Sequence, residues 1–141
     1  MVNPVNLLNM ENKIKHLEFI QLTITRMNVN SFMIKGWLVT LVGAIFVLSE
    51  KDANTKFLWF PPFVTVLFWV MDAFFVSTER RYRSLYNYVR TLNEPQIDFS
   101  MDTSNYEGGR NGFLLSGLST TLILFYPVVL TASIIAASYI K

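Results

Sequence analysis

The sequence predicts an all-α integral membrane protein with three transmembrane helices, the first two of which extend into the cytoplasm as long helices. Three observations support this fold class. Hydrophobic residues make up 52% of the 141 residues and charged residues only 16%, whereas about a quarter of a typical soluble domain is charged. Three apolar stretches approach or exceed the ~20 residues that a helix needs to cross a ~30 Å hydrocarbon layer. The polar segments beside them show helical periodicity, so residues 1–141 are expected to form a single membrane domain.

The composition also excludes several classes of protein. The absence of cysteine excludes a disulfide scaffold and a thiolate metal site, and the single histidine, His16, excludes an imidazole-built metal site within one protomer. No serine has the partners of a nucleophile–base pair. A net charge of +2 is too small to indicate nucleic-acid binding. We therefore expect a protein that is not an enzyme, with no cofactor, no metal and no nucleic-acid partner.

The first element is a predicted cytoplasmic amphipathic helix over residues 9–30. Apolar residues such as Met10, Ile14, Ile24 and Met27 recur along it at spacings of three and four. Nothing in the following residues breaks a helix, so we expect it to continue into the first span. Its polar face is not notably basic, which favours packing against another protein helix over lying on the lipid surface. We expect no signal peptide, because no short apolar core precedes a small-residue cleavage site.

The predicted spans cover residues 32–49, 57–77 and 113–140. The first contains Lys35 near its start, where the ammonium can reach the interface while the stem stays in the apolar layer. The second contains one acid, Asp72, and two prolines near its outer end that either begin its helix or kink it. The third contains no charged residue.

The second span should continue as a cytoplasmic helix over residues 78–92, followed by a loop over residues 93–112. Arg80, Arg81 and Arg83 lie just past the span, where each can gain about 1 kcal/mol from anionic lipid. Contact with anionic lipid is therefore the favoured interpretation of these arginines. An anionic ligand such as a nucleotide is the alternative, although no Gly-rich phosphate loop accompanies them.

Orientation follows from the distribution of lysine and arginine. With the amino terminus and the second connection in the cytoplasm, nine of the 12 basic residues lie inside and three outside. Cytoplasmic flanks of membrane proteins carry the excess of basic residues. We therefore predict a cytoplasmic amino terminus and a carboxyl terminus outside.

Asp72 is the first candidate functional residue. An acid within a span costs about 2.5–3.5 kcal/mol on the insertion scale, so it usually faces protein or water. Asp72 lies roughly 9 Å from the inner end of its span, and Lys35 enters from the same side, so the two can pair within or between protomers. Lining of a pore and a proton relay are the alternatives, with Ser116 and Thr120 as further pore-facing candidates.

Small residues recur every four positions along the first span, at Gly36, Thr40 and Ala44. Such a stripe permits close approach of helix backbones. It therefore predicts an interface between copies in a homo-oligomer.

Two sequence blocks, HLEFIQLTITRMNVNSFMIKGWLVTL and DAFFVSTERRYRSLYNYVR, resemble the signature blocks of a group of small bacterial multi-span membrane proteins. Both lie between His16 and Arg90. The resemblance implies a bacterial inner-membrane protein without implying an activity. The architecture is also similar to that of small transmembrane effectors of bacterial nucleotide-signalling and antiviral defence systems. That likeness implies oligomerisation and permeabilisation of the membrane after a trigger.

These observations leave two functions open. The first is a homo-oligomeric inner-membrane effector that forms a pore or channel. The second is a non-conducting membrane adaptor whose helices, residues 9–30 and 78–92, recruit a soluble cytoplasmic partner. A small transporter is disfavoured, because the three spans show no internal repeat.

Overall fold

The computed structural model describes residues 4–52 and 59–139, with side chains described for residues 10–49 and 59–139. Its helices are α1 (Pro4–Asp52), α2 (Phe60–Thr91), α3 (Phe113–Gly117) and α4 (Thr120–Tyr139). Three short 3-10 turns, Glu94–Gln96, Ser104–Tyr106 and Gly109–Asn111, lie in the predicted loop. The described residues contain no strand. Three helices, α1, α2 and α4, are long and apolar enough to cross a membrane. This confirms the prediction of an all-helical fold with three helices of membrane-spanning length.

The two long helices are continuous, as the sequence predicts. Helix α1 runs through residues 9–30 and 32–49 without interruption, and α2 joins the second apolar stretch to its polar extension. Pro61 lies in the first turn of α2, where an N–H group would have no intrahelical acceptor, so it begins the helix rather than kinking it. The first two residues of the predicted second span lie outside the described residues.

The third predicted span, residues 113–140, is interrupted, although its part from Thr120 to Tyr139 is long and apolar enough to cross a membrane. Ile140 lies outside the described residues. Helix α3 ends at Gly117, and α4 begins only at Thr120. The break frees the carbonyl of Gly117, which accepts a hydrogen bond from the indole Nε1 of Trp69 at 2.9 Å. Gly117 also packs closely on α2, since a Cβ atom there would lie 3.4 Å from the Cβ atom of Ala73. The interaction with α2 therefore compensates for the interrupted helix.

Two hydrophobic cores hold the helices together. One lies in the apolar half, defined as residues 31–49, 59–77 and 113–139. It joins α1, α2 and α4 through the buried residues Leu38, Val42, Val64, Ala73, Leu122 and Tyr126. The other joins α1, α2 and the loop through the buried residues Ile20, Ile24, Leu85, Val89 and Ile97. We call this second region the polar end, defined as residues 10–30, 78–91 and 92–112. The amino-terminal half of α1 thus packs on a protein helix, and that helix belongs to the same chain.

A side chain of α1 also secures the end of α2. The ammonium of Lys13 donates hydrogen bonds to the carbonyls of Leu92 at 2.7 Å and Arg90 at 3.3 Å. The last carbonyls of a helix lack intrahelical donors and carry partial negative charge, so a cation there is favourable. Lys13 therefore fixes the register of the two helices at the polar end.

Candidate functional site

A single buried carboxylate connects the three long helices. Asp72 of α2 is 0% exposed. Its Oδ2 atom accepts hydrogen bonds from Lys35 Nζ at 2.5 Å and from the Tyr126 hydroxyl at 2.9 Å. Its Oδ1 atom accepts one from the Ser31 hydroxyl at 2.5 Å. Since Ser31 and Lys35 belong to α1 and Tyr126 to α4, the carboxylate links all three helices.

The ammonium of Lys35, like the carboxylate of Asp72, has hydrogen-bond partners for its polar groups. The side chain of Lys35 is 15% exposed, and its ammonium also donates to the hydroxyl of Ser31 at 2.8 Å and to the carbonyl of Ser31 at 3.1 Å. An ammonium has three donors, and all three have acceptors here. A buried ion pair is tolerated only when its remaining hydrogen-bonding groups are also satisfied. The structure thus brings Lys35 and Asp72 together within one protomer.

The network extends to the break before α4. The ring of Tyr126 stacks on that of Trp69 with centroids 5.7 Å apart and planes 4° apart. The same indole donates to Gly117. Sequence reasoning missed Ser31, Tyr126 and Trp69 as members of this site.

The other intramembrane candidates lie outside the network. Ser116 is fully buried, and its hydroxyl accepts a 3.4 Å hydrogen bond from Arg80. Thr120 is exposed in the first turn of α4. In the described part of the chain neither contacts Asp72, and their pore-facing role stays a prediction.

The three arginines after the second apolar stretch each have partners within the chain. Arg80 donates to the carbonyl of Arg110 at 2.7 Å, Arg81 pairs with Glu107 at 2.6 Å, and Arg83 pairs with Glu79 at 2.7 Å. The first two contacts attach the loop to α2. Contact of these arginines with lipid or ligand stays a prediction.

The small-residue stripe lies on the surface of α1. Gly36, Thr40 and Ala44 are exposed, and a Cβ atom built at Gly36 would meet nothing within 4 Å. This face is therefore open in the protomer, and its role in an oligomer stays a prediction.

A concave groove lies at the polar end, between α1 and the loop. Its volume is about 830 Å³, and it is lined by Asn12, Lys15, His16, Phe19, Leu22, Thr23, Arg26, Phe99 and Met101. Phe99 adopts a left-handed backbone conformation, with φ of 56°, and its ring meets that of His16 edge-on at 5.5 Å. We call this surface the polar-end groove.

His16 is a buried residue in the wall of the polar-end groove. It is 5% exposed, and its Nε2 atom has no hydrogen-bond partner among the described residues. Burial lowers the pKa of His16, against a smaller opposing effect of the Asp98 carboxylate. Because the ordinary value is already below 7, the ring is neutral at neutral pH. A neutral imidazole with a free nitrogen can accept or donate one hydrogen bond to a bound group.

No family model, curated protein or solved structure matches the chain. The resemblance of the two blocks between His16 and Arg90 to small bacterial membrane proteins therefore stays a prediction. Function has to be argued from the geometry of the chain itself.

Proposed function

We propose that this chain is a non-conducting adaptor of the bacterial inner membrane. Its three apolar helices anchor it in the bilayer, with the amino terminus in the cytoplasm. The polar-end groove binds an amphipathic helix of a soluble partner. The observation that carries the proposal is the pairing of Lys35 with Asp72. These are the two charged residues of the predicted spans, and each satisfies the other within one protomer.

The pairing favours a closed protomer because of what a conducting path requires. Polar groups that line such a path are expected to face water or a neighbouring subunit. Asp72 instead faces protein on every side and is fully buried. The hydrogen bonds around Asp72 join three helices, which is a role in stability rather than in conduction.

The polar-end groove has the dimensions of a helix-binding site. Its α1 residues run from Asn12 to Arg26, which is about four helical turns or roughly 21 Å. Phe19 is 61% exposed and Leu22 64% exposed, so the groove offers large apolar side chains outside the apolar half of the molecule. Exposed apolar patches of this kind mark interaction sites in soluble regions. An apolar groove along a helix is a common receptor for an amphipathic helix.

The charges beside the groove define the partner further. Lys15 and Arg26 line it, and Lys15 is joined to Glu11 in an exposed ion pair at 2.6 Å. Arg26 has no ion pair among the described residues. We therefore expect the partner helix to carry acidic residues along the edge of its apolar stripe.

Photo-crosslinking in cells tests the proposal. A benzophenone amino acid in place of Leu22 should give one adduct with a soluble protein, whereas one in place of Leu48, 61% exposed in the apolar half, should not. Arg26→Glu should reduce the adduct at least about tenfold, since like charges across an interface cost several kcal/mol. Arg90→Glu, an equal charge change on an exposed residue of α2, should leave it unchanged.

Two results would contradict the adaptor proposal. The first is no protein adduct from position 22. The second is an adduct of twice the mass of the chain, because it would show that a second copy fills the groove.

A homo-oligomeric pore is the second candidate, and the open small-residue face of α1 favours it. Copies that meet along Gly36, Thr40 and Ala44 could enclose a lumen between protomers while each protomer stays closed. The chain has no native cysteine, so Thr40→Cys reports this contact as a disulfide-linked dimer. If such dimers form and the wild-type protein releases a trapped dye from vesicles, the pore becomes the supported function and the adaptor proposal is contradicted.

A further inference from the structure

A second cavity lies where the apolar half meets the polar end. Its volume is about 390 Å³, and α1, α2 and the start of α4 line it. Its charged lining residues are Lys35, Glu79, Arg80 and Arg83. Lys35 is paired with Asp72 and Arg83 with Glu79, so these residues together carry a formal charge of +1, which comes from Arg80. The cavity therefore favours an anionic occupant even with Glu79 in its wall.

Ser119 adds an unsatisfied polar group to the same cavity. It is 8% exposed, lines the cavity and immediately precedes α4, and its hydroxyl has no hydrogen-bond partner among the described residues. A buried hydroxyl without a partner is costly, so its position calls for a ligand or ordered solvent. The unpaired hydroxyl of Ser119 therefore supports a bound ligand independently of the charged residues.

The start of α4 supplies further donors. The N–H groups of the first helical turn have no intrahelical acceptors, and two residues of this turn, Thr121 and Leu122, line the cavity. A 20-residue helix also carries partial positive charge at this end. Helix amino termini with nearby basic side chains are common binding sites for phosphate.

The arginines of the cavity keep donors for a ligand. Arg83 contacts Glu79 through Nε, and Arg80 contacts protein carbonyls through Nη1. A guanidinium has five N–H donors in a planar fork, so each side chain has donors beyond those that the described contacts use. A tetrahedral phosphate has enough oxygen atoms to accept from two arginines, a hydroxyl and a helix terminus together.

We infer that this cavity binds a phosphate group, either the headgroup of an anionic phospholipid or a free phosphate-bearing solute. Ser119, Arg80 and Arg83 hold it, and the amino terminus of α4 faces it. The inference goes beyond the proposed adaptor function, because it uses none of the residues of the polar-end groove. A lipid occupant would fix the depth of the protein in the bilayer at the boundary between its two halves.

Binding measurements on the full chain in detergent test the inference. The two probes are inorganic phosphate, followed by the thermal unfolding midpoint, and phosphatidylglycerol, followed by native mass spectrometry with phosphatidylcholine as the reference lipid. Arg83→Gln and Ser119→Ala should each weaken binding roughly tenfold, which corresponds to one charge-assisted hydrogen bond. Arg90→Gln, with the same loss of charge outside the cavity, should bind as the wild type does.

The two probes also separate the sources of the phosphate. Selective binding of phosphatidylglycerol with no response to inorganic phosphate would assign the site to a lipid headgroup. A response to inorganic phosphate above that to chloride at equal ionic strength would assign it to a solute. Binding of neither probe, or binding that both site variants leave intact, would overturn the inference. If Ser119→Ala fails to fold, Arg83→Gln decides, because its side chain is 59% exposed.

Discussion

Lys35→Met is expected to lower the free energy of unfolding by about 3–5 kcal/mol, the usual cost of removing one partner from a buried ion pair. The substitution leaves the carboxylate of Asp72, which is 0% exposed, without its cation. The long side chain of Lys35 is already 15% exposed and can extend towards the interface if it is left alone, whereas the short side chain of Asp72 is 0% exposed. Removal of Lys35 is therefore expected to cost more stability than removal of Asp72. Unfolding in mixed detergent micelles of increasing SDS content measures the effect.

A double variant separates the charge from the packing. Lys35→Met combined with Asp72→Leu removes both charges and keeps apolar volume at each position. The double variant should recover part of the lost stability, because no unpaired charge stays buried. Recovery should be incomplete, because the buried hydroxyls of Ser31 and Tyr126 lose their acceptor. Arg83→Ala, which breaks the exposed pair with Glu79, should cost less than about 1 kcal/mol. A single variant as stable as the wild type would show that the pair is not buried.

Ile20→Ala is expected to have the second-largest effect, a loss of about 2–5 kcal/mol at the polar end. Ile20 is 0% exposed and lies in the core that joins α1, α2 and the loop. The smaller side chain leaves a cavity in this core, so residues 82–91 of α2 should exchange their amide hydrogens faster. Hydrogen exchange followed by mass spectrometry measures this change.

Leu22→Ala is the matched control for Ile20→Ala. Leu22 lies two positions along the same helix and is 64% exposed, so its truncation should leave hydrogen exchange unchanged. Equal effects of the two substitutions would contradict the packing of the polar end. Because Leu22 lines the polar-end groove, this variant also shows whether groove residues contribute to stability.

The continuous helices were predictable from the sequence because helix continuity is a local property. No glycine or proline lies between residues 9 and 35, and none lies between residues 63 and 92. The break at Leu118 and Ser119 was not predictable in this way. The stretch from 113 to 140 has no charged residue and only scattered serines and threonines, so periodicity has little contrast to detect there. Two signals were available: about 28 residues exceed the ~20 that a span needs, and Gly117 followed by Ser119 is a pattern of a helix end and a helix start.

The candidate site was predictable only in part, for a related reason. The pairing of Lys35 with Asp72 was predictable, because both are charged residues within apolar stretches and lie at similar depths from the same end of their spans. Tyr126 gave no such signal, since a tyrosine in an apolar helix is ordinary and its partner lies 54 residues away in the chain. The polar-end groove depends on where the loop places Phe99 against His16, which is a tertiary contact with no sequence pattern.

Membrane insertion with a cytoplasmic polar end is the central claim of this account, and cysteine accessibility tests it most directly. The chain has no cysteine, so Asn105→Cys in the second connection and Asn54→Cys in the first each report one site. In intact cells, a membrane-impermeant maleimide should label Asn54→Cys at once and Asn105→Cys only after permeabilisation. Labelling of Asn105→Cys in intact cells with protection of Asn54→Cys, or recovery of the chain in the soluble fraction, would contradict the account.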